Sequence, residues 1–149
     1  MADLQEGTCC ASENVDPNKV GRLVFACSGG AAVGRIADVA ARQLDAANDA
    51  RMYCLAGLGG RIPEMVRTVH DAEWICVIDG CETACASKTL ETVAIGRFHH
   101  IKVTDLGFDK ESAEFNEAAA AKVAAAARDK TRTNEPGPPP CERDAAASA

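Results

Sequence analysis

The sequence predicts an α/β fold: a three-layer sandwich around a mostly parallel four-stranded sheet, Rossmann-like or flavodoxin-like in layout. Three observations lead there. Apolar runs of strand length alternate with stretches of helical periodicity, in the order β-α-β-α-β-α-β-α. The first three runs each give way to a glycine-containing turn. The cysteines at those junctions, Cys27, Cys54 and Cys81, recur every 27 residues, which is roughly the length of one strand–helix unit in a parallel sheet.

The elements follow in order. Val20 to Cys27 reads as strand one, closed by Ser28-Gly29-Gly30, with the Ser28 hydroxyl near the next helix start. Val33, Ile36, Ala37, Ala40 and Leu44 recur at helical spacing and define helix one. Ala50 to Ala56 reads as strand two, closed by Gly57-Leu58-Gly59-Gly60. Pro63 suits a first helical position, and Met65, Val66, Val69 and His70 continue helix two. Trp74 to Ile78 has no polar alternation, which predicts a central strand covered on both faces. Helix three is expected from near Glu82 to about Val93. In strand four Ile101 and Val103 alternate with His100, Lys102 and Thr104, the pattern of a half-exposed edge, and His99 and His100 are expected to face solvent. Glu111 to Arg128 is alanine-rich and helical, with Phe115 and Val123 among its few large apolar anchors.

The organisation expected is one domain over 20–129, between a flexible leader (1–19) and a disordered, proline-rich tail (130–149). A chain of 149 residues with 47% apolar content has material for a real core without disulfides. The net charge of −6 and 4% aromatic content argue against a nucleic-acid partner. No apolar stretch approaches the length of a membrane span, and the N-terminus lacks the basic and apolar regions of a signal peptide. A cytoplasmic location is expected. In that reducing compartment eight cysteines suit ligands, catalysts or buried thiols better than disulfides.

The glycine turns fail as nucleotide motifs. Across Gly29 to Ile36, Arg35 and Ile36 replace the lysine and hydroxyl of a P-loop, Ala31 breaks the dinucleotide fingerprint, and Ile62 breaks it again after Gly57-Leu58-Gly59. A cysteine phosphatase needs an arginine where Val33 stands. These glycines read instead as tight turns with backbones packed close at the rim.

Parallel strands point the same way, so their ends converge on the edge where open α/β sheets bind ligands. Cys27, Cys54 and Cys81 are therefore expected at one rim, joined by Cys85, which follows Cys81 by one helical turn. Cys81 is expected at or just before the N-terminus of helix three, with Cys85 one turn inside, where free N–H groups and the helix dipole favour a thiolate. Four thiolates suit tetrahedral zinc and equally an iron–sulfur cluster. The same thiols suit disulfide exchange, with Cys81 as nucleophile and Cys85 or Cys27 resolving. Four buried, inert thiols are the plainer alternative. Asp79 ends an apolar strand beside this cluster. It either orients the loop by accepting backbone N–H bonds and supports the ligands from behind, or is a solvated turn residue. Lys88, one turn beyond Cys85, is positioned to offset thiolate charge. Cys76 reads as a core thiol, and Cys9, Cys10 and Cys141 lie in the presumed flexible segments.

With Asp79-Gly80-Cys81-Glu82-Thr83-Ala84-Cys85-Ala86 in view, the chain resembles the DGC family of proposed zinc-binding proteins, named for its Asp-Gly-Cys motif. Cys27-Ser28-Gly29 with Val33-Gly34 is similar to the family's first cysteine turn. Cys54-Leu55-Ala56-Gly57 with Gly59-Gly60 is similar to its second, and Thr104-Asp105-Leu106-Gly107 to its closing segment. The resemblance runs from about Leu23 to Lys110. It implies that Cys27, Cys54, Cys81 and Cys85 are the four chelators and zinc the metal. A closed four-thiolate site has no open position for water. The expected role is accordingly structural, metal-carrying or sensory, leaning away from an enzyme, with a metal ion as the one partner the sequence names.

Overall fold

The structure, a computed structural model, describes residues 21–132 and Gly137. The leader, nearly all of the tail, and Cys9, Cys10 and Cys141 lie outside the described residues.

Four strands are formed: β1 (Arg22–Ala26), β2 (Arg51–Met52), β3 (Trp74–Asp79) and β4 (His99–Lys102). They alternate with α1 (Ala32–Ala46), α2 (Leu55–Gly59), α3 (Pro63–His70), α4 (Cys85–Thr92) and α5 (Glu117–Thr131), and a 3-10 turn spans Thr104–Leu106. The sheet is parallel throughout, in the order β2-β1-β3-β4. That is the order in which a flavodoxin-type sheet begins, with its switch point between β1 and β3. The α/β expectation is met.

Alternation along the strands divides the core in two. Val24, Ala26, Cys76 and Ile78 join Val33, Ile36, Ala40 and Leu44 of α1 and Val123 and Ala127 of α5. Leu23, Phe25, Ile75 and Val77 join Leu58 of α2, Val69 of α3 and Leu90 of α4. Helices therefore cover both faces, and β3 is buried at every residue, as its unbroken apolar run predicts. The small residues of α5 let it lie close on α1, so Ala120, Ala124 and Ala127 are all fully buried. No helix among the described residues is long and apolar enough to cross a membrane.

Three boundaries differ from expectation. β2 ends at Met52, and the chain coils into α2 where strand and loop were expected. As an edge strand β2 is in register with β1 through Arg51 and Met52, with Tyr53 N adding a bond to Val24 O at 3.0 Å, whereas a helical turn buries Leu58 completely on the Phe25 face. α5 starts at Glu117, not Glu111. Asp109 holds the preceding segment in a turn, its Oδ1 accepting from Glu111 N (3.1 Å), Ser112 N (3.0 Å) and Ser112 Oγ (2.9 Å). Such local bonds compete with helix, and Asn116 then caps α5 by accepting from Ala119 N at 2.8 Å. α4 starts at Cys85 rather than Glu82, for a reason that belongs to the site.

Candidate functional site

The loops after β1 and β3 meet at the switch point with no side chains between them. A Cβ on Gly34 would lie 2.5 Å from the Gly29 carbonyl oxygen, and one on Gly80 would lie 2.9 Å from Gly34 N. Glycine is required at both positions for the backbones to approach this closely. The contact sets Cys27 against the loop carrying Cys81 and Cys85. Cys27 N donates to Ile78 O at 3.1 Å, extending the sheet by one bond, and Gly80 N donates to Cys27 Sγ at 3.2 Å. Burial pushes the Cys27 thiol up from its ordinary value. The amides of Gly29 and Gly80 oppose that, while the charges of Asp79 and Cys85 add to it.

Asp79 is fully buried and turned inward. Its Oδ1 accepts from Ala86 N at 2.8 Å, and its Oδ2 from Ser87 N at 3.1 Å and Ser87 Oγ at 2.7 Å. His100 Nε2 lies 2.9 Å from the same Oδ2. Burial pushes this carboxyl up, but the bonds from His100, Ser87 and Ala86 together hold it below the usual carboxylate range. Asp79 therefore caps α4 from outside the helix, satisfying its second and third amides, and this places the helix start at Cys85. His100 is a partner of that carboxylate and only 18% exposed, which corrects the expectation of a solvent-facing side chain.

With α4 beginning at Cys85, Cys81 stands in the turn before the helix, closed by Ala84 N donating to Cys81 O at 3.0 Å. The helix-terminal environment expected for Cys81 is thus that of Cys85, which is exposed at the first helical position. The Cys81 thiol is nevertheless held below its ordinary value, first by the Thr83 hydroxyl and amide and then by Lys110. Its Sγ lies 3.5 Å from Thr83 Oγ1. Sequence reading passed over Thr83 and nominated Lys88 as the nearby cation. Lys110 reaches Cys81 only because the chain after β4 returns over the rim, a tertiary fact with no local signal.

Two non-glycine residues beside these cysteines adopt left-handed backbone: Ser28 (φ 47°) after Cys27, and Ala84 (φ 52°) before Cys85. Each costs of order 1 kcal/mol. Ser28 recovers part of that by donating from its hydroxyl to Asp38 Oδ1 at 2.8 Å.

Cys54 is exposed at the cap of α2. It shares with Cys27 an open cleft of about 830 Å³ across the ends of β1 and β2. Tyr53 and Met65 supply apolar wall, and Asp38, Arg42 and Asp45 line the α1 side. Arg42 Nε donates to Asp38 Oδ2 at 2.7 Å while its side chain stays 67% exposed.

The rim thus carries all four nominated thiols, with Cys27 common to both halves: it shares a cleft with Cys54 and a hydrogen bond with the loop of Cys81 and Cys85. Among the described residues, no group of three or more His, Cys, Asp or Glu side chains is already gathered tightly enough to hold a metal ion.

The profile of the DGC domain matches residues 23–127. The anaerobic and virulence modulator AnvM of Pseudomonas aeruginosa is 35% identical over 96 residues, which cover 64% of this chain and 73% of that protein. No solved structure matches. The match extends from inside β1 into α5 and takes in every loop bearing Cys27, Cys54, Cys81 and Cys85, so the chain belongs to the DGC domain family.

Proposed function

We propose that this protein binds one soft metal ion, zinc, through Cys27, Cys54, Cys81 and Cys85, as a carrier or sensor rather than an enzyme. The observation that carries the reading is the amide of Gly80 donating to Cys27 Sγ at 3.2 Å. An amide aimed at sulfur favours the thiolate a metal requires, against the burial that pushes this thiol up. Here it also ties the Cys27 thiol to the loop that bears Cys81 and Cys85.

The donor set fits zinc, which takes four thiolates readily. Because three ligands are not already gathered, binding must draw the rim loops together. Cys54 and Cys85 are exposed and Cys81 half-exposed, so their side chains have room to turn. Asp79, clamped by four partners, fixes the start of α4 and is a positioning residue. A site completed by its cargo suits reversible loading better than permanent scaffolding. The name of the Pseudomonas relative, an anaerobic and virulence modulator, supports a sensory role.

The test is metal content per chain, by mass spectrometry, on tag-free protein purified without oxygen, with Cys81→Ser alongside. About one zinc in wild type, lost in the variant, is expected. Iron with visible absorption would replace zinc by an iron–sulfur cluster at the same residues. No metal at all sinks the reading.

A second reading, thiol–disulfide exchange led by Cys81, is favoured by one observation: this half-exposed thiol is held below its ordinary value by Thr83 and Lys110. A reversible disulfide from Cys81 to Cys85 or Cys27 in metal-free protein would select it.

A further inference from the structure

The cleft beside Cys54 is more than a metal site needs. Four thiolates around one ion occupy little space, whereas this cleft has about 830 Å³, the size range of sites for small organic ligands. Its walls differ in character. Tyr53 and Met65 offer apolar surface, while α1 presents Arg42 and Asp45 less than one turn apart. The basic group on that wall suits the carboxylate of an amino-acid-type ligand. The Arg42 guanidinium uses its Nε for Asp38 yet stays largely exposed, which leaves its fork accessible to a carboxylate. Cys54 is exposed at the same cleft and Cys27 half-buried.

We infer that this cleft docks a low-molecular-weight, amino-acid-type disulfide and that Cys54 is its site of S-thiolation. The inference rests on reading Cys54 as a functional rim thiol. The Cys54 thiolate attacks one sulfur of the incoming disulfide. A Cys54–sulfur bond forms, the original disulfide bond breaks, and the other half leaves as a thiolate that takes up a proton from water. Cys54 is oxidised, the departing half is reduced, and no further oxidant is required. Docking of a ligand carboxylate on Arg42 holds the disulfide beside Cys54, and the adduct removes one of the four proposed ligands. The state of the small-thiol pool thereby gates metal loading.

The experiment uses the full chain, reduced and stripped of metal, and follows each cysteine by peptide mass spectrometry. Glutathione disulfide is the zwitterionic probe and bis(2-hydroxyethyl) disulfide the uncharged one. Both rates are normalised to those of an unstructured cysteine peptide. One charge-assisted contact predicts a preference of about tenfold for glutathione disulfide at Cys54, collapsing toward one in Arg42→Ala. A general loss of order would also drive the ratio toward one, so Arg42→Ala is compared at matching far-UV circular dichroism, and Arg42→Lys, which keeps the positive charge, is expected to retain part of the preference. A ratio near one in wild type, or an unchanged preference in Arg42→Ala, overturns the inference. Zinc stoichiometry on the same preparation separates the two ideas. Zinc bound without a preference at Cys54 refutes only the docking, and a preference without zinc refutes only the metal reading.

Discussion

The carboxylate of Asp79 sits where water cannot screen it, so its partners hold it through charge-assisted hydrogen bonds in a poorly polarisable setting. Asp79→Asn keeps the shape but loses the charge, and its amide group turns a donor toward groups that expect an acceptor. A loss of about 2 kcal/mol is expected in urea unfolding, together with faster alkylation of Cys85 as the start of α4 loosens. An unchanged midpoint would mean that Ala86 and Ser87 find other partners. Cys76 gives a second prediction at this scale. Burial pushes its thiol up to about 12, from an ordinary value of 9.0. The unfolded chain therefore releases a proton above pH 9 that the folded chain retains. The stability Cys76 supplies is fully present below about pH 9 and falls by up to about 1.4 kcal/mol per pH unit above it. Urea midpoints measured from about pH 8 to about pH 10.5 should fall less steeply in Cys76→Ala than in wild type. Equal slopes would rule the effect out. Of these two residues the sequence revealed Cys76 fully, because a cysteine inside an unbroken apolar run has nowhere else to go. For Asp79 it left two fates open, since the deciding partner, His100, comes from β4 and an edge-strand histidine carries no mark of what it faces.

Among the helices, α1, α2 and α4 end alike. The backbone turns left-handed at Asn48, Arg61 and Ala94. Each residue's amide bonds back three residues, to Asp45, Leu58 and Glu91, and the next amide bonds back five, to Leu44, Gly57 and Leu90. This is the Schellman arrangement, where glycine is the usual occupant. Ala94→Gly removes the Cβ clash at a site that tolerates flexibility and is expected to stabilise by about 0.5 kcal/mol after the entropic cost of glycine. A rise in the thermal midpoint checks it, and a fall would show that the methyl group packs more than it strains. Gly80→Ala should act in the opposite direction. Its new methyl meets backbone atoms of Val33 and Gly34 at about 3 Å, and backbone cannot swing aside as a side-chain tip can. A cost of about 1–3 kcal/mol is expected, with weakened zinc retention as the loop of Cys81 parts from Cys27. Elements with strong periodicity, α1 and β3, were legible in advance. α2 was not: its five residues, two of them glycine, gave no period, and burial of Leu58 decided the outcome. The delayed start of α5 was legible in principle, because Asp109-Lys110-Glu111-Ser112 is a turn-forming sequence.

At the scale of the molecule, equal spacing of three cysteines translated directly into position, because a parallel sheet converts sequence period into a common edge. The same logic does not set side-chain distances, which depend on rotamers and on loops such as the one carrying Lys110. The core and the rim are also separable. Trp74, Phe25, Phe98 and Leu44 are buried by other apolar side chains on the two sheet faces, and none of that burial needs a metal ion. Thiolate ligation of zinc in a short finger supplies the folding energy itself. Here the proposed ligation would add to a core that stands without it. Chelation is therefore expected to leave far-UV circular dichroism nearly unchanged and to lower the thermal midpoint by only a few degrees, the amount by which ligand binding stabilises a fold already formed. Hydrogen exchange should quicken at the amides of Cys27 to Gly30 and Gly80 to Ala84, while those of β1 and β3 keep their protection. Wholesale loss of helical signal on chelation would show that the rim holds the sheet together. The close contact between the Gly34 and Gly80 backbones would then be a consequence of metal binding, not the frame that prepares for it.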